Sequence, residues 1–406
     1  MSISEERIGE MLNQFPEKVL KNRRKHLILK DSTQACQQIE ANTRTIPGII
    51  SQRGCAYAGC KGVVIGPIKD MVHIVHGPVG CSYYAWGTRR NKARADDNTP
   101  ADQIFSTLCF TTDMQESDIV FGGEKKLAKM IDEVVEMFHP RAISICATCP
   151  VGLIGDDIGA VAKAAQERHG IQVLSFNCEG YKGVSQSAGH HIANNNLMEF
   201  VIGTGEDRDP NQKFVINILG EYNIGGDGWE IERILRDIGY TINCVLTGDT
   251  SYLEIKDLHQ ADLNLVQCHR SINYIAEMME TKYGTPWLKV NFIGVQSTMN
   301  SLREIAQCFG DETLIKKTEE VIAREEARIM PVIEQYRKIC QGKTAFAFVG
   351  GSRSHHYMHL LRDLGMEIVV AGYEFAHRDD YEGREVIPNI KPDADSKNIP
   401  ELHLKP

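Results

Sequence analysis

The chain has 406 residues and a mass of 45.5 kDa, with 42% hydrophobic and 24% charged residues, which excludes the disordered, collagenous and coiled-coil classes. Its net charge is −9, from 45 basic and 54 acidic residues, the reverse of what a nucleic-acid binder carries.

The first feature in chain order is a basic cluster, Lys18 to Lys25, which reads as a solvated helix face. Lys125 to Phe138 then carries Leu127, Met130, Ile131, Val134 and Val135 at helical spacing. Ala142 to Ala147 predicts a buried strand, Gly152 to Arg168 a helix and Ile171 to Asn177 a second strand. Such a strand–helix–strand unit is parallel and right-handed almost by default. A helix should open at Ser185 or Ser187, both good N-caps. The pattern repeats with a strand at Phe214 to Gly220, a helix at Trp229 to Ile238 and a strand at Tyr240 to Leu246. Leu263 to Gln267 predicts another strand, Ile272 to Tyr283 a helix, and Trp287 to Phe292 a strand-like piece. Met299 to Cys308 and Glu312 to Tyr336 are helical. A third start comes at Thr344 to Val349, with a helix near His356 to Leu364 and a strand at Glu367 to Ala371.

These elements predict an α/β protein of three Rossmann-like parallel-sheet domains. An N-terminal arm covers 1–45, domain I 46–207, domain II 208–341, and a partial domain III with an irregular tail 342–406. From Tyr381 to Pro406 there are four prolines and no periodicity. About two strands and one helix cannot cover both faces of a parallel sheet, so the third domain is expected to be incomplete.

No apolar run reaches the roughly 18 residues of a transmembrane helix. Met1 to Glu10 is polar and acidic, unlike a signal peptide. The expected location is the cytoplasm, where the 12 cysteines would be thiols or metal ligands rather than disulfides.

Three clusters frame cysteines with glycine or proline: Cys55 in RGCAYAG, Cys81 in HGPVGC and Cys149 in CATCP. Little side-chain bulk there hinders a thiolate from approaching a metal. Cys149 also follows a predicted strand, and α/β sheets bind ligands at the carboxyl ends of their strands. Buried core cysteines, a zinc site, a redox pair of Cys146 and Cys149, and iron–sulfur ligation all remain open, with iron–sulfur ligation the best fit to such wide spacing. Cys178 to His191 places two histidines after a Gly/Ser-rich turn. Cys268-His269-Arg270-Ser271 and Gly350-Gly351-Ser352-Arg353 follow strands of the second and third domains. Each domain thus aims polar groups from a strand terminus. Gly342-Lys343-Thr344 lacks the upstream glycine of a Walker motif, since position 337 is Arg, so ATP hydrolysis by this chain is not expected.

Longer runs carry a resemblance over nearly the whole chain: RGCAYAG at Arg53–Gly59, GPIKDM at Gly66–Met71, DIVFGGEKKL at Asp118–Leu127, CEGYKGVSQSAGHHIAN at Cys178–Asn194, YNIGGD at Tyr222–Asp227 and YEFAH at Tyr373–His377. The chain resembles the α chains of nitrogenase molybdenum–iron proteins. That resemblance implies an 8Fe-7S P-cluster, shared with a β chain in an α2β2 heterotetramer, with Cys55, Cys81 and Cys149 as this side's ligands. It implies an iron–molybdenum–sulfur cofactor with homocitrate, held by Cys268. His190 would hydrogen-bond a cofactor sulfide, Gln186 would lie near homocitrate, and Val63 would gate the reactive face. Arg89, Arg353, Gly350, Gly351, Phe375 and Ser271 would cradle the cofactor. Electrons would come from a separate, ATP-hydrolysing iron protein, with neither nucleic acid nor membrane as partner. Cys60 and Cys146 depart from the family pattern and read as non-ligating. Family members continue beyond this length and carry the molybdenum-binding histidine there, so a C-terminally truncated chain unable to hold the cofactor stably by itself is expected. A related cofactor-assembly scaffold and an inactive fragment are the alternatives.

Overall fold

The computed structural model describes residues 54–87, 92–182, 186–206, 208–348 and 353–372, with 16–18, 21, 27–30 and 401–404. Among these residues the strands are β1 (Leu27–Lys30), β2 (Met71–His76), β3 (Phe110–Thr111), β4 (Ala142–Ala147), β5 (Gln172–Phe176), β6 (Val215–Glu221), β7 (Thr241–Thr247), β8 (Leu263–Val266), β9 (Trp287–Lys289), β10 (Thr344–Phe348), β11 (Glu367–Gly372) and β12 (Glu401–Leu404). They form three four-stranded sheets, ordered β3-β2-β4-β5, β7-β6-β8-β9 and β1-β12-β11-β10. The first two are parallel throughout. The chain divides into two compact units, residues 50–289 with the first two sheets, and residues 1–49 with 290–406 holding the third.

In the first unit, β2 and β4 are buried at every position, as a parallel sheet covered on both faces requires. Their side chains alternate between two cores. Val72, Ile74, Ile143 and Ile145 pack with Leu127 and Ile131 of the helix Glu124–Phe138 and with Ile158 and Ala162 of the helix Ile158–His169. Met71, Val75 and Cys146 face the other way. There they join Val64 and Ile65 of a π-helical segment, Ala58–Ile65, and Leu197 of the helix Gln186–Phe200. The same core continues into the second sheet through Leu219, Leu246 and Val266, and into the helix His269–Tyr283 through Ile272 and Ile275. One apolar mass therefore joins two sheets that the charged loop Gly205 to Gln212 separates in sequence.

Two expectations are corrected, and one strand that the sequence reading did not predict is added. The helix expected over Gly152 to Arg168 is two helices, Cys149–Ile154 and Ile158–His169, because Gly155 adopts a left-handed conformation that ends the first. The third sheet has four strands rather than about two. Glu401–Leu404 of the tail pairs parallel with β11 and antiparallel with Leu27–Lys30 of the arm. The strand β2, central to the first sheet, lacks an uninterrupted apolar pattern because His73 and His76 interrupt it, yet both are buried.

His73 has its ring nitrogens 2.7 Å from Ser144 Oγ and 2.8 Å from the Ile68 carbonyl oxygen. Burial, with the Lys61 charge adding to it, lowers its pKa to about 3. An unfolded histidine titrates near 6.5. Stability from this residue is therefore complete above about pH 6.5 and lost as pH falls toward 3, because only the unfolded chain takes the proton. By linkage the loss reaches about 3 kcal/mol near pH 4. His73→Gln should flatten this dependence in urea unfolding followed from pH 7 to about 4. Equal losses in variant and wild type would refute the assignment.

Candidate functional site

The carboxyl ends of β2 and β4 lie side by side, with His76 in register with Ala147. Each strand runs directly into a cysteine-bearing turn. After β2 comes Gly77-Pro78, with the Cys81 amide donating to the Pro78 carbonyl at 3.2 Å, at the start of the helix Val79–Gly87. After β4, Thr148 caps the helix that Cys149 opens, with Pro150 in its first turn. Both the Thr148 amide (3.2 Å) and its hydroxyl (2.9 Å) donate to the His76 carbonyl, which ties the two turns together.

Cys55 arrives from a third direction, just ahead of the π-helical segment. The Ala56 amide donates to the Gly180 carbonyl at 3.2 Å in the loop after β5. The Tyr57 hydroxyl donates to the Cys81 carbonyl at 2.9 Å. Cys55, Cys81 and Cys149 are all partly exposed. Burial, and after it the neighbouring Cys55 and Cys149, push the Cys81 thiol above its usual range. Three sulfurs brought together in this way suit a cationic metal group between them.

A hydrogen-bond network braces these turns. His76 Nε2 lies 2.9 Å from Asp156 Oδ2, and His76 Nδ1 lies 3.0 Å from Thr112 Oγ1. Asp156 also accepts from the Gly123 amide at 3.0 Å. Residues of HGPVGC, GLIGDD and FGGEKKL are thereby knitted together, which sequence alone did not indicate.

The second group surrounds the carboxyl end of β6. Cys268 caps the helix His269–Tyr283 directly after β8. Gly220, at a register break of β6, has a φ of +79°, and a Cβ there would meet Cys268 Cβ and N at 2.9 Å. Only glycine lets the Cys268 backbone settle on the strand so closely. Two residues on, the Tyr222 ring lies 6.0 Å from the His190 ring. Cys268 and His190 thus flank one strand end. Gln186 opens the helix that carries His190, and Val63, partly buried, packs on the core from the π-helical segment.

Ser271 lies in the first turn of the helix after Cys268, and Arg353 opens the helix Arg353–Asp363; the side chains of both are outside the described residues, as are those of His355 and His356. Arg89, Gly350, Gly351, Phe375 and His377 also lie outside them. Cys60 and Cys146, read as non-ligating, are gathered with Cys178 into a buried three-sulfur group, their sulfurs all within 4.8 Å of one another. Among the described residues no helix is long and apolar enough to cross a membrane.

The family model of the nitrogenase component 1 type oxidoreductases matches residues 55–402. The chain belongs to that family. It is 59% identical over 404 residues to the nitrogenase molybdenum-iron protein alpha chain of Clostridium pasteurianum, covering 100% of this chain and 75% of that one. The Methanosarcina barkeri alpha chain is 58% identical over 398 residues, covering 98% and 74%. A solved structure titled "Nitrogenase Cp1 at pH 6.5" superposes with a TM-score of 0.83 at 60% identity, covering 98% of this chain and 76% of that one. This nitrogenase-type oxidoreductase chain therefore has an α/β fold with parallel sheets, and it spans about three quarters of the length of those relatives.

Proposed function

We propose that the chain serves as the α subunit of a molybdenum–iron nitrogenase component that reduces dinitrogen to ammonia. The observation carrying this reading is the convergence of Cys55, Cys81 and Cys149 on one edge of the first sheet, in a family of nitrogenase oxidoreductases. Three thiols leave a cluster of the usual four-cysteine kind incompletely held, and a second subunit would supply the remaining ligands. A β chain in an α2β2 heterotetramer fits that need, and the group held there is the 8Fe-7S P-cluster.

Cys268 is the thiolate that would hold an iron–molybdenum–sulfur cofactor with homocitrate. When bound, that group would supply the metal centre at which substrate is reduced. The chain's own residues then bind, orient and protect. His190 donates a hydrogen bond and delivers protons, since an imidazole titrates near neutrality. Gln186 orients the homocitrate side, and Val63 limits access. The family resemblance assigns Arg89, Arg353, Ser271, Phe375, Gly350 and Gly351 to the surroundings of that anionic group, where the two cations would balance its charge. The electron donor is a separate iron protein that hydrolyses ATP.

His190→Gln in the assembled complex tests the reading. Iron and molybdenum contents should stay unchanged while dinitrogen reduction falls about 100-fold relative to proton reduction. Loss of molybdenum in the variant would instead make His190 structural and defeat its assignment.

A further inference from the structure

We propose that Cys60, Cys146 and Cys178 form a second metal site, a three-thiolate pocket for a thiophilic d10 ion, zinc(II) or copper(I), separate from the site at Cys55, Cys81 and Cys149. All three residues are fully buried, and their sulfurs lie within 4.8 Å of one another. Thiolates around one ion, at metal–sulfur distances near 2.3 Å, stand roughly 4 Å apart, so the pocket needs little movement to close on an ion. The cysteines come from three elements that the fold fixes independently. Cys60 lies in the π-helical segment, Cys146 on β4, and Cys178 just after β5, where its thiol donates to the Ala147 carbonyl at 3.5 Å.

Charge points the same way. Lys61 is buried, and its ammonium acts on both Cys60 and Cys146. Burial would raise the Cys146 thiol, but hydrogen bonds from Cys178 and Cys60, together with Lys61, hold it well below the ordinary thiol range. Binding zinc(II) displaces the thiol protons to solvent, and three thiolates with the ion sum to −1, which the Lys61 ammonium balances; copper(I) reaches the same balance with one cysteine left protonated. Soft sulfur donors select zinc and copper(I) over magnesium or calcium.

Tyr57 lies buried near both this pocket and the partly exposed cysteines. Burial raises its phenol above the usual range, and Cys146, Cys81 and Cys178 add to that, while its hydroxyl donates to the Cys81 carbonyl. Cysteines of both groups therefore lie near the Tyr57 side chain.

Because the sulfurs are buried, the ion enters as the chain folds. The holoprotein should be produced in zinc-supplemented medium and, separately, in copper-supplemented medium. Metal analysis should give about one ion per chain in one of the two arms. X-ray absorption at that metal's edge, which ignores iron, should give three sulfur neighbours. Cys146→Ser should lose that ion while iron content holds; if it fails to fold, Cys60→Ala replaces it. Wild-type protein carrying neither metal overturns the proposal, and so does an ion retained with three sulfurs in the variant.

Discussion

Replacing Cys149 with alanine is expected to strip iron from the protein and to loosen its association with the β subunit, while leaving the fold in place. Two magnitudes separate these effects. Cys149 is partly exposed at the start of a helix, so truncating it costs the fold within about 1 kcal/mol. The same sulfur is one of the three proposed to hold a shared group. Removing a ligand exceeds the loss from an outer-shell partner, so metal affinity falls by at least about 100-fold. Where cluster ligands are divided between two chains, the metal joins the subunits, and iron and assembly should be lost together. Iron analysis and gel filtration of Cys149→Ala, beside thermal unfolding, check this. Wild-type iron content with an intact heterotetramer would rule out Cys149 as a ligand.

Gly189→Ala should have the largest effect on the fold. A Cβ at this position would lie 1.9 Å from the Ala56 carbonyl oxygen and 2.5 Å from the Cys60 amide nitrogen. Both are backbone atoms, so no side-chain rotation relieves the clash. The contact is reciprocal, because a Cβ on Gly59 would lie 2.0 Å from the Gln186 carbonyl oxygen. The helix bearing His190 and the π-helical segment behind Cys55 thus touch through their backbones at two glycines. Forcing them apart costs about 3 kcal/mol or more. In a unit of this size that lowers Tm by about 6–12 °C. It also shifts His190 from Tyr222 and Cys60 from its sulfur neighbours. Gly80→Ala is the control: it lies in the helix Val79–Gly87 with nothing within 4 Å of its added Cβ, and should stabilise by about 0.5–1 kcal/mol. Equal melting temperatures for Gly189→Ala and wild type would show that the backbone contact is looser than described.

Local chemistry in the sequence was enough to find elements whose pattern has one period. The helix Glu124–Phe138 shows its apolar stripe at Leu127, Ile131 and Val134, and β4 is an apolar run broken by Ser144 alone and followed by Thr148 and Pro150. The position of Cys149 at a strand end followed from the same run. Where a polar residue is satisfied by a distant partner, the pattern fails. β2 is hard to recognise locally because His73 depends on Ser144, and His76 on Asp156, 71 and 80 residues away. β12 is equally hidden, since its pairing with β1 joins residues from opposite ends of the chain.

The sequence by itself determined that this is an α/β chain with Gly- and Pro-framed cysteines at strand ends, because periodicity and turn residues act within a few positions. Only the tertiary structure decided which cysteines meet. Cys55, Cys81 and Cys149 converge because β2 and β4 are neighbours in register and Thr148 binds the turn after β2. Cys146, inside β4, faces the core that the π-helical segment covers and there joins Cys60 and Cys178. Two thiols three positions apart in sequence are thereby assigned to two different groups, and no spacing rule distinguishes them before the sheet and its covering helix are in place.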